Sequence, residues 1–213
     1  MRNPEKDAIE IAAKRQKLME TGFLLFSQRT IDQVSLEEIA RKSGVGIATL
    51  YRYFGTKLEL VIAISVWQWT QYRQQFEQKL DTDRNYKTAA QEYAFFLDFF
   101  LEMYRNHKEL LRFNQFFNIF IEGTGVEQGL IAPYTEIADW LAERFRRCWE
   151  RGARDGTIKI DTPWMQAYTG TLHLMLAAVT RYAVGLVYQP QSGNDPEQEL
   201  LLLREMLLRQ YTK

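Results

Sequence analysis

Apolar residues recur at helical spacing along most of the chain, and no stretch alternates between apolar and polar positions for the length of a strand. The first periodic segment ends near Gln28. Short helices are predicted over 36–42 and 47–54, and a long helix follows toward Lys79. The remaining predicted helices cover 88–105, 108–122, 134–152, 164–188 and 196–211. This pattern predicts an all-α protein.

Two capping-box patterns mark helix starts at Ser35–Glu38 and Thr56–Glu59. In each, the hydroxyl can accept a hydrogen bond from the amide three residues on, while the glutamate reaches back to the first amide. Gly44 suits the carboxyl end of the first short helix. Two short helices joined by a glycine-containing turn, with one helix before and a long one after, indicate a helix-turn-helix over 35–54.

The periodicity of this motif separates an inner from an outer face. Leu36, Ile39 and Ala40 are predicted to face inward from the first short helix, and Leu50 and Phe54 from the second. Val45 is predicted to fill the turn. Hydroxyls, an arginine and small apolar groups on the outer face suit a DNA major groove. Helix amino termini at Ser35 and Thr56–Lys57 offer amides to phosphate.

This part of the chain resembles the TetR family of transcriptional regulators from about Gln16 to Ser65. The family's elements occur in order as GFLLF (22–26), SLEEIA (35–40), GVG (44–46), TLYRYF (49–54) and TKLEL (56–60). TLYRYF followed by Lys57 is the most specific piece. The chain departs from the common pattern at Gly46 and Ile47, where many members have serine and a polar or basic residue, and at Arg29-Thr30, where Arg-Gly is common.

The resemblance implies a recognition helix over 47–54. Its phosphate-contacting positions correspond to Thr49, Tyr53 and Lys57, and those facing bases or backbone to Ile47, Ala48 and Tyr51. The predicted DNA-binding residues are Ser35, Ile47, Ala48, Thr49, Tyr51, Arg52, Tyr53 and Lys57. The alternative for individual residues is that the tyrosines pack in the core and Arg52 is a solvated charge.

The resemblance also predicts the domain organisation. A helix-turn-helix domain is expected over 12–72, and a larger helical ligand-binding and dimerisation domain over 73–213. In such proteins the last two helices pair with their copies, and here 164–188 is apolar around much of its circumference while 196–211 is rich in leucine. We therefore expect a homodimer that binds a palindromic operator.

Aromatic residues are abundant after residue 66 and suggest a small-molecule pocket. Gln115 and Asn118 stand beside one aromatic run as polar neighbours. The candidate pocket residues are Trp67, Tyr72, Phe96, Phe99, Phe116, Phe117, Phe120 and His173. Such residues also form ordinary cores, which is the alternative for each of them. The expected effector is a small apolar or aromatic molecule.

Composition sets further bounds on the 213 residues, of which 46% are hydrophobic and 25% charged. These values predict a substantial core and exclude a disordered chain.

Cys148 stands alone, so no internal disulfide forms, and its basic neighbours leave open either a lowered pKa or an inert buried thiol. The polar start is not a secretory signal, so a cytoplasmic protein is expected. Lysine plus arginine equals aspartate plus glutamate at 27 each, but residues 1–57 hold ten basic and seven acidic side chains.

No motif for catalysis is evident, and we expect neither an enzyme nor a bound cofactor. His107 and His173 lie far apart and have no metal-ligand spacing, so no metal site is expected. The alternative function is an all-α small-molecule carrier or enzyme whose amino-terminal helices are structural. An activator rather than a repressor also fits the sequence.

Overall fold

Helices account for most of the residues that the computed structural model describes, which are 4–82, 86–185 and 195–213. Within these ranges the only β-feature is an isolated bridge between Ile158 and Thr212. The predicted all-α fold is confirmed. The helices are α1 (Pro4–Gln28), α2 (Leu36–Ser43), α3 (Ile47–Phe54), α4 (Lys57–Thr82), α5 (Ala89–Asn106), α6 (Lys108–Thr124), α7 (Gln128–Asp155), α8 (Trp164–Val184) and α9 (Pro196–Tyr211).

The largest difference from the predicted helix ends is in α7, which begins at Gln128 rather than 134. Pro133 lies inside this helix, where it removes one backbone hydrogen bond without ending the helix. For the helix predicted over 164–188, residues 186–188 lie outside the described residues.

The chain divides into two compact units. Unit 1 consists of the described residues among 1–70 together with 112–134. Unit 2 consists of the described residues among 71–111 and 135–213. Most of α6 therefore groups with the helices of the amino-terminal part. The division predicted at 72/73 stays a prediction.

The core of unit 1 forms where α1, α2, α3, α4 and α6 bury their apolar sides. Gly22 allows α1 to lie close to α4, because a Cβ at this position would be 2.7 Å from Cδ1 of Ile64. Burial along α1 begins late, since residues 8–14 are exposed and Ile9 retains 68% of its accessible surface. The fully buried large side chains of this core include Leu18, Phe26, Ile39, Leu50, Leu60, Ile64 and Phe113.

The core of unit 2 centres on Tyr93 of α5, whose ring makes edge contacts with Phe145, Trp149 and Tyr211. Its hydroxyl forms a 3.0 Å hydrogen bond with the hydroxyl of Thr171. Burial in this core also raises the pKa of the Cys148 thiol well above its usual range. Because the thiolate is the reactive form, Cys148 is an inert core residue in this structure.

Candidate nucleic-acid interface

The turn between α2 and α3 is held by its own backbone and one serine. Gly44 adopts φ +67°, a left-handed conformation that glycine accepts without strain. The amide of Val45 donates to the carbonyl of Ala40 at 3.1 Å, and the Ser43 hydroxyl donates to the same carbonyl at 3.0 Å. The predicted inward residues of the motif, Val45 included, are all buried, which confirms the predicted faces. The turn thus fixes the direction in which α3 leaves α2.

The outer face of α3 is exposed over two full turns. Leu50 and Phe54 are buried, while Ile47 and Tyr51 keep 36% and 46% of their accessible surface. Ala48 and Arg52 are also exposed, and Thr49 and Tyr53 are half-buried. Gly46 caps the helix without a side chain, which leaves first-turn amides available to an anion. Apolar, hydroxyl and guanidinium groups therefore lie on a helix of the size that enters a major groove.

Arg15 of α1 supports the carboxyl end of α3, a role that the sequence analysis missed. Its Nη1 donates to the carbonyl of Tyr53 at 2.8 Å, and its guanidinium lies 4.5 Å from the centre of the Phe54 ring. A cation at this end also interacts favourably with the helix dipole. The available signal was spacing: Arg15 lies three residues before Leu18 and seven before Gly22, on the buried side of α1.

The two capping boxes differ in outcome. At the start of α4 both bonds form: Thr56 Oγ1 accepts from the amide of Glu59 at 3.2 Å, and Glu59 accepts from the amide of Thr56 at 2.9 Å. At the start of α2 only one bond forms, with Ser35 accepting from the amide of Glu38 at 3.1 Å. The prediction that the Glu38 carboxylate accepts a hydrogen bond from the amide of Ser35 is wrong, because Arg29 donates to that carboxylate instead.

Arg29 and Lys42 together neutralise Glu38. Its Oε1 lies 2.7 Å from Nη2 of Arg29 and 3.2 Å from Nζ of Lys42. The hydrogen bond from Arg29 lowers the pKa of Glu38, and Lys42 adds to this effect. Ser35 itself is exposed beside this ion pair. Pairing of the carboxylate lowers the repulsion that a nearby phosphate would experience.

Lys57 begins α4 and is partly buried. Its Nζ lies 3.5 Å from the carbonyl oxygen of Asp32. Burial lowers the pKa of the Lys57 ammonium, and the charge of Asp32 opposes that shift. An ammonium anchored near a helix amino terminus is suited to a phosphate oxygen. The contact of Lys57 with DNA stays a prediction, as do those of the other predicted DNA-binding residues.

The predicted pocket residues fall in two groups. In unit 1, the ring centre of Phe23 lies 6.4 Å from that of Trp67 and 5.5 Å from that of Phe113. The ring centre of Phe117 lies 5.0 Å from that of Tyr134. Phe116 and Phe120 are half-buried on the same helix as Phe117. The two groups belong to different units, and their shared role in a pocket stays a prediction.

In unit 2, Tyr72, Phe96 and Phe99 are buried, and the Tyr72 hydroxyl donates to the carbonyl of Phe99 at 2.7 Å. Burial raises the pKa of Tyr72 well above its usual range. His173 is exposed on α8 rather than enclosed in this core. The exposure of His173 does not support its predicted place in a pocket, which stays a prediction.

Residues 4–82, 86–185 and 195–213 contain no group of three or more histidine, cysteine, aspartate or glutamate residues placed to hold a metal ion. None of the helices there is long and apolar enough to cross a membrane.

The amino-terminal part of the chain is similar to known proteins. Residues 18–64 match the family model described as bacterial regulatory proteins, tetR family. The HTH-type transcriptional regulator SAB2452 of Staphylococcus aureus (strain bovine RF122 / ET3-1) is 31% identical over 106 residues, which are 50% of this chain and 54% of that protein. The chain thus spans about half the length of the curated relatives it matches.

Solved structures resemble a much larger part of the chain. FadR from Bacillus subtilis, in complex with stearoyl-CoA, matches with a TM-score of 0.70 and 18% identity, covering 91% of this chain and 97% of that one. A transcriptional regulator from Saccharomonospora viridis, in complex with choline, matches with a TM-score of 0.72 and 14% identity, covering 95% and 99%. At these identities the likeness shows the fold alone.

Proposed function

We propose that the chain is a ligand-responsive, DNA-binding transcriptional regulator, because residues 18–64 match the family model described as bacterial regulatory proteins, tetR family. It acts in the cytoplasm as a homodimer that represses from a palindromic operator and is released by a small, largely apolar molecule. The observation that carries this proposal is the exposed outer face of α3, held in place by buried Leu50 and Phe54 and by Arg15. The family match favours this function over a carrier or enzyme with structural amino-terminal helices.

The homodimer is supported by the outer faces of α8 and α9. Each helix buries one side within unit 2, while Leu174 of α8 and Leu202 and Met206 of α9 remain 51%, 62% and 59% exposed. Exposed large apolar side chains on two helices that contact each other support association with another apolar surface. A two-fold dimer presents two recognition helices to two half-sites, which explains a palindromic operator.

The small-molecule response is supported by the aromatic interiors of both units and by the two solved proteins that hold stearoyl-CoA and choline. Release from DNA requires that the ligand bind the two conformations with different affinity, with a coupling of about 1–3 kcal/mol. Because the two ligands differ in size and charge, they support a ligand-responsive fold and leave the chemistry of this chain's effector to its own residues.

Fluorescence anisotropy on labelled DNA from upstream of the chain's own gene tests the proposal, with selection from genomic fragments if that DNA is not bound. We compare the unmodified chain with Ala48→Glu, which places a carboxylate on the exposed face of α3. Ala153→Glu is the matched control, because Ala153 is an exposed alanine on α7. We expect specific, salt-sensitive binding that only Ala48→Glu abolishes. Equal binding by Ala48→Glu and the unmodified chain would contradict the assignment of α3.

A further inference from the structure

Asn114 of α6 is a buried amide whose carbonyl group has no partner. The residue is 3% exposed, and its Oδ1 accepts no hydrogen bond from any described residue. Ser65 of α4, fully buried in the same unit, has an Oγ in the same condition. Leaving a buried acceptor unsatisfied is costly, and native proteins contain few such groups. The interior of unit 1 therefore contains two buried oxygen atoms, Asn114 Oδ1 and Ser65 Oγ, that have no hydrogen-bond partner among the described residues.

Asn114 lies between buried aromatic residues along α6. Asn114 follows Phe113 directly and lies three residues before Phe117, so it shares the buried side of α6 with both. The Phe117 ring centre is 5.0 Å from that of Tyr134 and 6.0 Å from that of Phe113. The sequence had pointed instead to Gln115, which is half-buried, and to Asn118, which is exposed one turn further along α6 than Asn114.

These surroundings also disfavour charge. Burial raises the pKa of the Tyr134 hydroxyl, which means that an anion beside Tyr134 is destabilised by the loss of water. The nearest cation along the helix, Arg112, has its Nε directed to the carbonyl of Ser27 at 3.1 Å. A ligand beside Asn114 is therefore best satisfied as a neutral molecule.

We infer that Asn114 is the hydrogen-bonding anchor of a small-molecule site inside unit 1, and that its ligand is a neutral alcohol or phenol with an aromatic or aliphatic body. The hydroxyl donates to Oδ1 of Asn114, and the body lies against Phe113, Phe117 and Tyr134. An amide also offers a donor, so a hydroxyl, which both donates and accepts, matches it better than an ammonium, which only donates, or an ether, which only accepts.

The regulatory meaning of this site rests on the proposed function. Phe113 contacts Phe23 of α1 at 5.5 Å, and Arg112 bonds the carbonyl of Ser27 near the end of α1. The same helix α1 supports α3 through Arg15 and the carbonyl of Tyr53. A shift of α6 on ligand binding thus acts on α1, the helix that supports α3.

The test uses 4-fluorophenol and 4-fluorotoluene as probes of nearly equal shape, with binding to the full chain followed by fluorine NMR at pH 7. We expect the selectivity for 4-fluorophenol to fall about tenfold in Asn114→Leu, the effect of losing one hydrogen bond. Asn118→Leu is the matched control and is expected to retain the selectivity. Asn114→Ala provides a second variant that adds no bulk.

Thermal unfolding of the ligand-free variants gives an independent result. Because an unsatisfied acceptor is removed, Asn114→Leu is expected to melt at the same temperature as the unmodified chain or higher. A melting temperature several degrees lower in both Asn114 variants would show that the amide is partnered in the fold, and would overturn the inference.

Two binding results would also overturn it: equal selectivity in the unmodified chain and both Asn114 variants, or no binding of 4-fluorophenol at millimolar concentration. Either result would mean that Asn114 does not anchor a hydroxyl-bearing ligand. The NMR arm needs no DNA, so its failure is separate from a failure of operator binding. If the unmodified chain binds no operator but selects 4-fluorophenol through Asn114, the proposed function would be overturned and the ligand site would still be supported.

Discussion

The exposed faces of α3 and of the α8–α9 pair both contain large apolar side chains, but they differ in what surrounds these side chains. On α3, Ile47 and Tyr51 stand beside a guanidinium and an uncapped helix amino terminus. On α8 and α9, Leu174, Leu202 and Met206 are the most exposed apolar groups. Exposure alone therefore does not identify a partner. The charges and open amides of the first face suit a polyanion, whereas the second face suits an apolar copy of itself.

The largest expected effect comes from making the second face charged. Leu202→Glu with Met206→Glu is expected to convert the dimer to monomers, because each protomer would bury two unpaired carboxylates. Affinity for a palindromic operator should then fall about a hundredfold or more, since the two half-sites are no longer bound together. Light scattering after size exclusion and DNA anisotropy measure both changes.

Ile119→Glu with Leu130→Glu serves as the control for that experiment. Both residues are exposed apolar side chains of unit 1, at 59% and 36%, and lie outside the proposed dimer face. They should leave the dimer intact. A Leu202→Glu/Met206→Glu chain that remains dimeric would remove the distinction between the two faces.

A smaller effect is expected from truncating the aromatic residue on α3. Tyr51→Ala should weaken binding to the specific operator about tenfold while leaving binding to scrambled DNA nearly unchanged, because a groove contact discriminates sequences by about 1–3 kcal/mol. Competition anisotropy with both DNAs gives the ratio. Equal losses on the two DNAs would place Tyr51 on the phosphate backbone instead.

Removing the support of α3 should have an intermediate to small effect. Arg15→Met keeps the apolar stem but deletes the hydrogen bond to the Tyr53 carbonyl and the charge at the end of α3. We expect a loss of about 1 kcal/mol in DNA binding, in the range of one hydrogen bond on a half-buried residue. Lys17→Met, an exposed cation on α1, is the control; an equal loss there would indicate a general effect of charge.

The smallest expected effect is a difference in salt dependence between DNA binding and dimerisation. Lys57→Ala should reduce the slope of log affinity against log salt by about one, because one phosphate contact is lost. The dimerisation constant should change little over the same salt range, since its interface is apolar. A steep salt dependence of dimerisation would mean that charged pairs rather than leucine and methionine hold the dimer.

Much of the DNA-binding motif could be predicted from residue order. The inward positions Leu36, Ile39, Leu50 and Phe54 follow from helical periodicity, and all four are buried. The capping box at Thr56–Glu59 forms as its spacing predicts. These features depend on residues within four positions of each other, whose geometry a helix sets locally.

Contacts between distant segments could not be predicted in this way. Arg29 takes the carboxylate of Glu38 that the local pattern had assigned to a cap, and Arg15 reaches a carbonyl 38 residues along the chain. A strong charged partner competes with a local bond, and only the packing of α1 against α2 and α3 brings these groups within reach.

The sequence by itself determined the all-α fold, the helix-turn-helix and the outward set of residues on α3, because periodicity, caps and turn glycines act over a few residues. The tertiary structure decided that Asn114 is buried and Asn118 exposed, that His173 is exposed, and that Arg15 supports α3. Those outcomes depend on the rotation and spacing of helices that meet across long stretches of chain. Asn114 and Asn118 lie on the same side of α6, one turn apart, and only the packed neighbours show which of the two positions is core and which is solvent.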